Sequence, residues 1–234
     1  MEAIILAGGK AERLGAAAGG KPKALVRIAG RPLAAYQVEA LAAAEVGRVL
    51  VSCAAGEAEV FQAELGDLGV EIVPVEEPEP LGRGGGFRLA AAKRSEEGPV
   101  FALNGDELLD LDFPALLERH GSAGVDATIA VAPLESPFGV VELGEEDLVT
   151  SFREAPVLPH WVSCGVYVLG PGALARLPER GDHERTTFPE LAAEGELAAF
   201  RHEGFWQTVN TPKDLRRAEE RLAAGGLTRL RPLG

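Results

Sequence analysis

The chain has 234 residues, 46% of them apolar, and a net charge of −13. Those figures suit one α/β domain, or one domain with an elaborated lobe, around a core of ordinary size. They exclude a general nucleic-acid surface, which needs Lys and Arg to neutralise phosphates, and no run of about 18 uncharged apolar residues offers a membrane span. Met1 leads directly into an apolar run with no basic n-region or cleavage site, so a soluble, unexported, cytoplasmic protein is expected. Cys53 and Cys164 lie outside any CxxC or Cys/His ligand spacing, each within apolar residues, and read as buried reduced thiols.

The first element is Ala3-Ile4-Ile5-Leu6, an apolar run that stops at Gly8-Gly9, as a buried strand entering a glycine loop does. Residues 32–45 follow as a helix with proline in its first turn; 49–51 read as a strand, 58–65 as a helix, 70–73 as a strand, 89–94 as an alanine-rich helix and 100–103 as a strand. Alternation of this kind predicts a doubly wound, mostly parallel sheet. After about residue 125 the texture changes to strand-like runs at 127–131, 139–143 and 162–169, which suggest an added sheet lobe. No linker rich in Gly, Ser or Pro intervenes, so 1–226 is read as one domain: a core over about 1–125, the lobe over about 126–210, and a closing helix over 211–226. Thr211-Pro212-Lys213-Asp214 supplies that helix with a capping threonine, a proline at its first position and an acid three residues on. Residues 227–234 are read as a tail.

Chemistry concentrates at three places. In Leu6-Ala7-Gly8-Gly9 and the following Arg13, Lys21 and Lys23, backbone N–H groups can approach an anion closely and three cations stand near. In an acidic protein that cluster suits a triphosphate whose leaving pyrophosphate gains charge. Gly15 to Lys21 also reads G-x-x-x-x-G-K, but Pro22 takes the place of the P-loop hydroxyl and the strand has ended well before, so a P-loop is rejected. Second, Asn104-Gly105-Asp106 puts a carboxylate at the carboxyl end of a parallel strand, the edge where open α/β sheets bind ligands, and the donor type suits Mg²⁺. Asp110 and Asp112 read as helix-entry residues. Third, residues 81–86, including Gly82 and Gly84, form a glycine loop before a helix where a base or ribose can press on backbone. Arg83 there reads as an unpaired surface arginine.

No histidine pair (His120, His160, His183, His202) has metal spacing, and the four read as solvated or partly packed. Trp161, Phe205 and Trp206 read as packing residues, with stacking on a sugar or base as the alternative.

Taken in order, LAGG, RL, PKAL, GRGG, NGD, FGVVEL, FREAP, SCGVYVL and GFWQTVNTPKDL resemble the sugar-nucleotide pyrophosphorylases over nearly the whole chain. Residues 187–214 look especially like glucose-1-phosphate cytidylyltransferases and the archaeal and actinobacterial sugar-nucleotide synthases. The resemblance implies a Rossmann-like nucleotidyltransferase core with a sugar-binding lobe, and transfer of a nucleotidyl group from a nucleoside triphosphate to a sugar 1-phosphate. It implies that Arg13 and Lys23 hold and polarise the triphosphate, and that Asp106 and Asn210 ligate Mg²⁺ or Mn²⁺. Leu6, Ala7, Gly8, Gly9, Lys21, Gly82, Gly84, Asn104 and Gly105 would contact the nucleotide, and Gly139, Glu154, Ser163, Gly165 and Trp206 the sugar.

The chain departs from the family pattern at Ala11, Glu12, Ala155, Ser163 and Asn210. Glu12 adds a negative charge near the proposed phosphates, while Ala155 and Asn210 remove a cation and a carboxylate. A weakened homologue that binds sugar nucleotide as a regulatory subunit, and a transferase for another phosphorylated alcohol, are therefore the alternatives. A homo-oligomer is compatible with either, with no appended hexapeptide-type solenoid expected to mediate it.

Overall fold

The computed structural model describes residues 1–225 and 227, so the expected tail lies outside the described residues except for Leu227. In chain order the elements are β1 (Glu2–Leu6), β2 (Arg27–Ile28), β3 (Arg31–Pro32), α1 (Leu33–Ala43), β4 (Arg48–Ala54), α2 (Ala58–Leu65) and β5 (Glu71–Glu77). Then come α3 (Gly82–Ala91), β6 (Val100–Asn104), β7 (Glu107–Leu109), α4 (Phe113–Ala123), β8 (Ala127–Glu135), β9 (Val140–Leu143) and β10 (Val149–Arg153). The last are β11 (Val157–Leu169), α5 (Pro171–Ala175), α6 (Thr187–Glu194), β12 (Leu197–Arg201), β13 (Trp206–Thr208) and α7 (Pro212–Ala223).

Seven strands form the main sheet in the order β12-β8-β11-β6-β1-β4-β5. Every neighbouring pair is parallel except those of β11, which runs antiparallel to both β6 and β8. Alternation along β1 shows why helices cover both faces. Ala3 and Ile5 enter one core with Val38 and Leu41 of α1, Phe61 of α2 and Leu116 of α4. Ile4 enters the other with Phe87 of α3, Ala173 of α5 and Leu191 of α6. The chain therefore winds to β4 and β5 on one side of β1, then crosses to β6 on the other, and the strand order reverses beside β1. A crevice at the carboxyl ends of those strands is the consequence.

The strands expected after residue 125 are present, and β8, β11 and β12 extend the main sheet. Of the later strands, the antiparallel ribbon β9–β10 and the short β13, which pairs with β7, stand outside it. The alanine-rich helix begins earlier than residue 89: α3 starts at Gly82, so the glycine run is its first turn. Its leading amides are capped from afar, Gly84 and Gly85 N–H donating to Gly181 O at 2.8 and 3.3 Å. The closing helix matches its sequence signature. Thr211 Oγ1 accepts from Asp214 N, and Asp214 Oδ2 accepts from Thr211 N at 2.8 Å, a reciprocal capping box.

The histidines are more enclosed than expected. His183 is fully buried among Phe87, Tyr167 and Phe188, and its pKa is pushed down to about 4 by burial, then by Arg83. His120 and His202 are also buried, and His160 is exposed. Both cysteines are free and buried.

Candidate active site

A cavity of about 840 Å³ opens at the carboxyl ends of β1, β4, β5 and β6. Its lining includes Leu6, Ala7, Gly8 and Gly9 after β1, Ala54 and Ala55 after β4, Glu77 to Pro80 after β5, and Asn104 to Glu107 after β6. Lys10, Arg13, Lys23, Ala24, Gly82, Arg83, Thr208 and Asn210 complete the ring. Backbone bonds hold the loops in place: Ala7 N–H donates to Ser52 O at 2.7 Å, Gly105 N–H to Leu6 O at 2.8 Å, and Lys23 N–H to Gly9 O at 3.2 Å. Gly105 packs so tightly on β1 that a Cβ there would lie 2.5 Å from Leu6 O, which explains a glycine between Asn104 and Asp106.

The charged groups converge across the whole chain. Lys23 Nζ donates to Asp106 Oδ2 and to Asn210 Oδ1, each at 2.5 Å. Arg13 donates to the same Asn210 Oδ1 at 3.0 Å. Three sequence-distant segments thus meet at one ammonium and one amide oxygen.

Beside them lies Glu107, which the sequence reading did not single out. Its carboxylate is buried, and Oε2 accepts from Trp206 Nε1 at 2.9 Å and from Thr208 Oγ1 at 2.8 Å. Burial, then the charge of Asp106, push its pKa up to about 8, against the lowering effect of those two hydrogen bonds. These contacts tie β7 to β13, which pair antiparallel and carry Asp106 and Asn210 at their ends. The sequence signal was faint: an acid directly after the Asn-Gly-Asp turn.

Of the expected nucleotide contacts, Leu6, Ala7, Gly8, Gly9, Gly82, Asn104 and Gly105 line the cavity together with Arg13, Lys23, Asp106 and Asn210. Lys21 and Gly84 do not. The Lys21 ammonium pairs with Glu64, a carboxylate that also takes Arg27 at 2.7 Å. Gly84 is buried under Pro178 and His183, where a Cβ would meet both within 2.8 Å. Arg83 is also corrected: it lines the cavity but is paired, with Asp182 at 3.3 Å and Glu184 at 2.6 Å. Glu12 is exposed and is absent from the lining of this cavity; it lines a smaller neighbouring pocket together with Gly9 and Lys10.

The expected sugar contacts fall into two groups outside the cavity lining. Gly139 and Glu154 meet at the base of the β9–β10 ribbon, where a Cβ on Gly139 would lie 3.1 Å from Glu154 Oε2. Gly165 backs the site itself, with a positive φ of 70° and a Cβ position 2.7 Å from Asn104 Nδ2 and 3.1 Å from Glu107. Ser163 supports that turn by accepting from Gly165 N–H at 3.2 Å. Trp206 is half-buried, with its indole N–H committed to Glu107.

A glycine-lined crevice at a strand-order reversal, with two cations and a carboxylate converging on it, is the geometry of a phosphate-handling α/β enzyme. The family model described as nucleotidyl transferase matches residues 2–233. The chain belongs to that family. It is 35% identical over 221 residues to the mannose-1-phosphate guanylyltransferase catalytic subunit beta of Drosophila pseudoobscura pseudoobscura, covering 91% of this chain and 60% of that one. To the mannose-1-phosphate guanylyltransferase of Mycobacterium tuberculosis it is 34% identical over 237 residues, covering 96% and 65%. The chain therefore spans about three fifths of the length of these relatives. HddC from Yersinia pseudotuberculosis shares the fold of this family member, with a TM-score of 0.74 at 23% identity over 94% of this chain and 99% of that one. No helix among the described residues is long and apolar enough to cross a membrane.

Proposed function

We propose that the chain transfers a nucleotidyl group from a nucleoside triphosphate to a sugar 1-phosphate, releasing pyrophosphate and forming a nucleoside diphosphate sugar. The observation that carries this reading is the meeting of Lys23, Arg13, Asp106 and Asn210 beside the Gly8-Gly9 loop. An oxygen of the acceptor phosphate attacks the α-phosphorus in line; one P–O bond forms as the bond to the bridging oxygen breaks, and that oxygen leaves on pyrophosphate with the electron pair. Lys23 and Arg13 set positive charge against the charge that grows on the leaving group, and the backbone at Gly8 and Gly9 approaches the phosphates without a side chain between. Glu107, Trp206 and Thr208 fix β7 against β13, which positions Asp106 and Asn210 relative to each other.

Mg²⁺, or Mn²⁺ in its place, fits the donors present. Asp106 Oδ2 and Asn210 Oδ1 are hard oxygen ligands that already face a shared cation, the Lys23 ammonium. These two residues would hold the ion, and when bound it supplies charge neutralisation across the phosphates.

Glu77 gives the reading a base. Its carboxylate lines the cavity below Gly8, held by Ser52 Oγ at 2.8 Å on Oε1 and by Leu81 N–H at 3.1 Å on Oε2. A fixed carboxylate with lone pairs to spare suits guanine, whose N1–H and N2–H groups lie side by side, and the relatives named above are guanylyltransferases. A hexose 1-phosphate such as mannose 1-phosphate is the corresponding acceptor, and the cytosol, where thiols such as Cys53 and Cys164 stay reduced, is the corresponding compartment. Screening nucleoside triphosphates against sugar 1-phosphates for pyrophosphate release tests the proposal. Release that needs both substrates supports it; tight nucleotide binding without release supports a regulatory subunit instead.

A further inference from the structure

The strongest group left unused by that chemistry is Arg83, in the first turn of α3. It lines the cavity together with Glu77, whose carboxylate accepts the N–H of Leu81 two residues earlier, and 41% of its side chain is exposed. Two carboxylates pin the guanidinium: Nε donates to Asp182 Oδ1 at 3.3 Å, and Nη1 stands 2.6 Å from Glu184 Oε2. Glu184 is held in turn, its Oε1 accepting from the hydroxyl of the buried Tyr167 at 3.0 Å. Nη2 makes no hydrogen bond among the described residues, so its two N–H donors remain for a ligand.

The fold does not need these ion pairs to hold the loop between α5 and α6. Gly84 and Gly85 N–H already donate to Gly181 O, and Gly181 N–H donates to Leu81 O at 2.7 Å, so three backbone bonds clip that loop to α3. Fixing a half-exposed arginine costs side-chain entropy, and an ion pair open to water returns little stability. What the two acids achieve is a planar donor group held ready at the cavity. Arg83 also shares no partner with Arg13 and Lys23, which converge on Asp106 and Asn210. The cations assigned to phosphate are thus one group and this guanidinium another.

We infer that Arg83 determines base specificity, its Nη2 donating to the O6 of a 6-oxopurine whose N1–H and N2–H groups face Glu77. The inference rests on the guanine reading of Glu77 above. Along one edge guanine presents donors at N2 and N1 and then an acceptor at O6, a row that a carboxylate followed by a guanidinium matches. Adenine presents an acceptor at N1 and an amino donor at position 6. Glu77 would then face an acceptor and Arg83 a donor, so the pair that welcomes guanine rejects adenine.

Calorimetric titration of the wild type and Arg83→Met with GTP, inosine triphosphate and ATP, each with Mg²⁺ and without acceptor, tests it. Inosine triphosphate keeps O6 and N1–H but lacks the 2-amino group, which separates the contact at O6 from the one at N2. The wild type is expected to bind GTP and inosine triphosphate more tightly than ATP. Arg83→Met is expected to raise the Kd of the first two alike by about tenfold and to leave that of ATP unchanged. Equal weakening of all three nucleotides would place Arg83 on phosphate, ribose or N7 and overturn the inference, as would unchanged binding of GTP and inosine triphosphate. Should Arg83→Met misfold, Arg83→Lys keeps a charge beside both carboxylates but loses Nη2, and an unaltered preference for GTP over ATP in that folded variant counts against the inference equally. The titrations involve no turnover, so base-selective binding through Arg83 without pyrophosphate release would refute the transferase reading alone. Pyrophosphate release with the base preference intact in Arg83→Met would refute this inference alone.

Discussion

Lys23 and Asn210 stand 187 positions apart in sequence, yet the lysine ammonium donates to the asparagine Oδ1, which also receives Arg13. The backbone explains why the Asn210 side chain is available for this. Asn210 N–H and Thr211 N–H both donate to Asp214 Oδ2, so the entry to α7 is capped without the Asn210 amide. Its oxygen is free to face the cavity.

Substituting Asn210→Asp is therefore expected to lower the half-saturating Mg²⁺ concentration for turnover while leaving the α7 cap undisturbed. Opposite unit charges about 4 Å apart attract by about 4 kcal/mol at an effective dielectric near 20, before desolvation. A metal titration of wild type and variant at fixed nucleotide checks this. Superimposable curves would remove Asn210 from metal binding.

Lys23→Ala and Arg13→Ala are each expected to reduce turnover by about 10² or more, the scale of losing one preorganised charge-stabilising donor. Arg13→Ala should move the melting temperature little, because that side chain is exposed, whereas Lys23→Ala also removes the ammonium paired with Asp106 beside Glu107 and should lower it. Retention of wild-type rates at saturating substrate by both variants would contradict the phosphate-holding role.

Much of this site was legible in sequence because its parts are local: a strand ending in glycines, an Asn-Gly-Asp turn at a strand end, a capping box at Thr211. What was not legible depends on long-range contact. Lys21 looks like its neighbour Lys23, but only the position of Glu64 on α2 decides that it pairs there. Arg83 looked unpaired because Asp182 and Glu184 lie about a hundred residues away. The glycine run at 82–86 read as a loop on propensity; Gly181 O capping its amides, and the close packing of Pro178, make it a helix start. Glu107 was passed over because its function rests on burial and on Trp206, neither of which the Asn-Gly-Asp turn reveals.

Glu77→Gln is expected to raise the KM for GTP by about tenfold or more, since an amide replaces one of two acceptor oxygens with a donor. ATP, which offers no paired N–H edge, should be affected less. Equal effects on both nucleotides, measured by initial rates, would separate Glu77 from base reading.

Away from the site, Glu2 is a buried carboxylate held by Arg48 and Arg94, which ties part of the stability to pH. Burial alone would raise its pKa, but the N–H groups of Ser95 and Glu96, then the Arg48 side chain and the Ser95 hydroxyl, reverse this and hold it down at about 2. Arg94 also pairs with it at 3.1 Å. A depressed carboxyl stabilises the fold above its unfolded pKa, and that contribution is lost as pH falls from the ordinary glutamate range towards 2. Glu2→Gln is expected to lower the melting temperature at neutral pH, by about 1–3 kcal/mol of stability, and to flatten its dependence on pH below about 4.5. An unchanged acid slope in the variant would assign the acid sensitivity elsewhere.

The central claim is tested most directly by incubating the chain with GTP, mannose 1-phosphate and Mg²⁺ and quantifying both products. The account predicts pyrophosphate and a guanosine diphosphate sugar in equal amounts, each requiring the acceptor, and both lost in Lys23→Ala. Absence of product across the nucleoside triphosphates and sugar 1-phosphates, from protein shown to be folded, would contradict it.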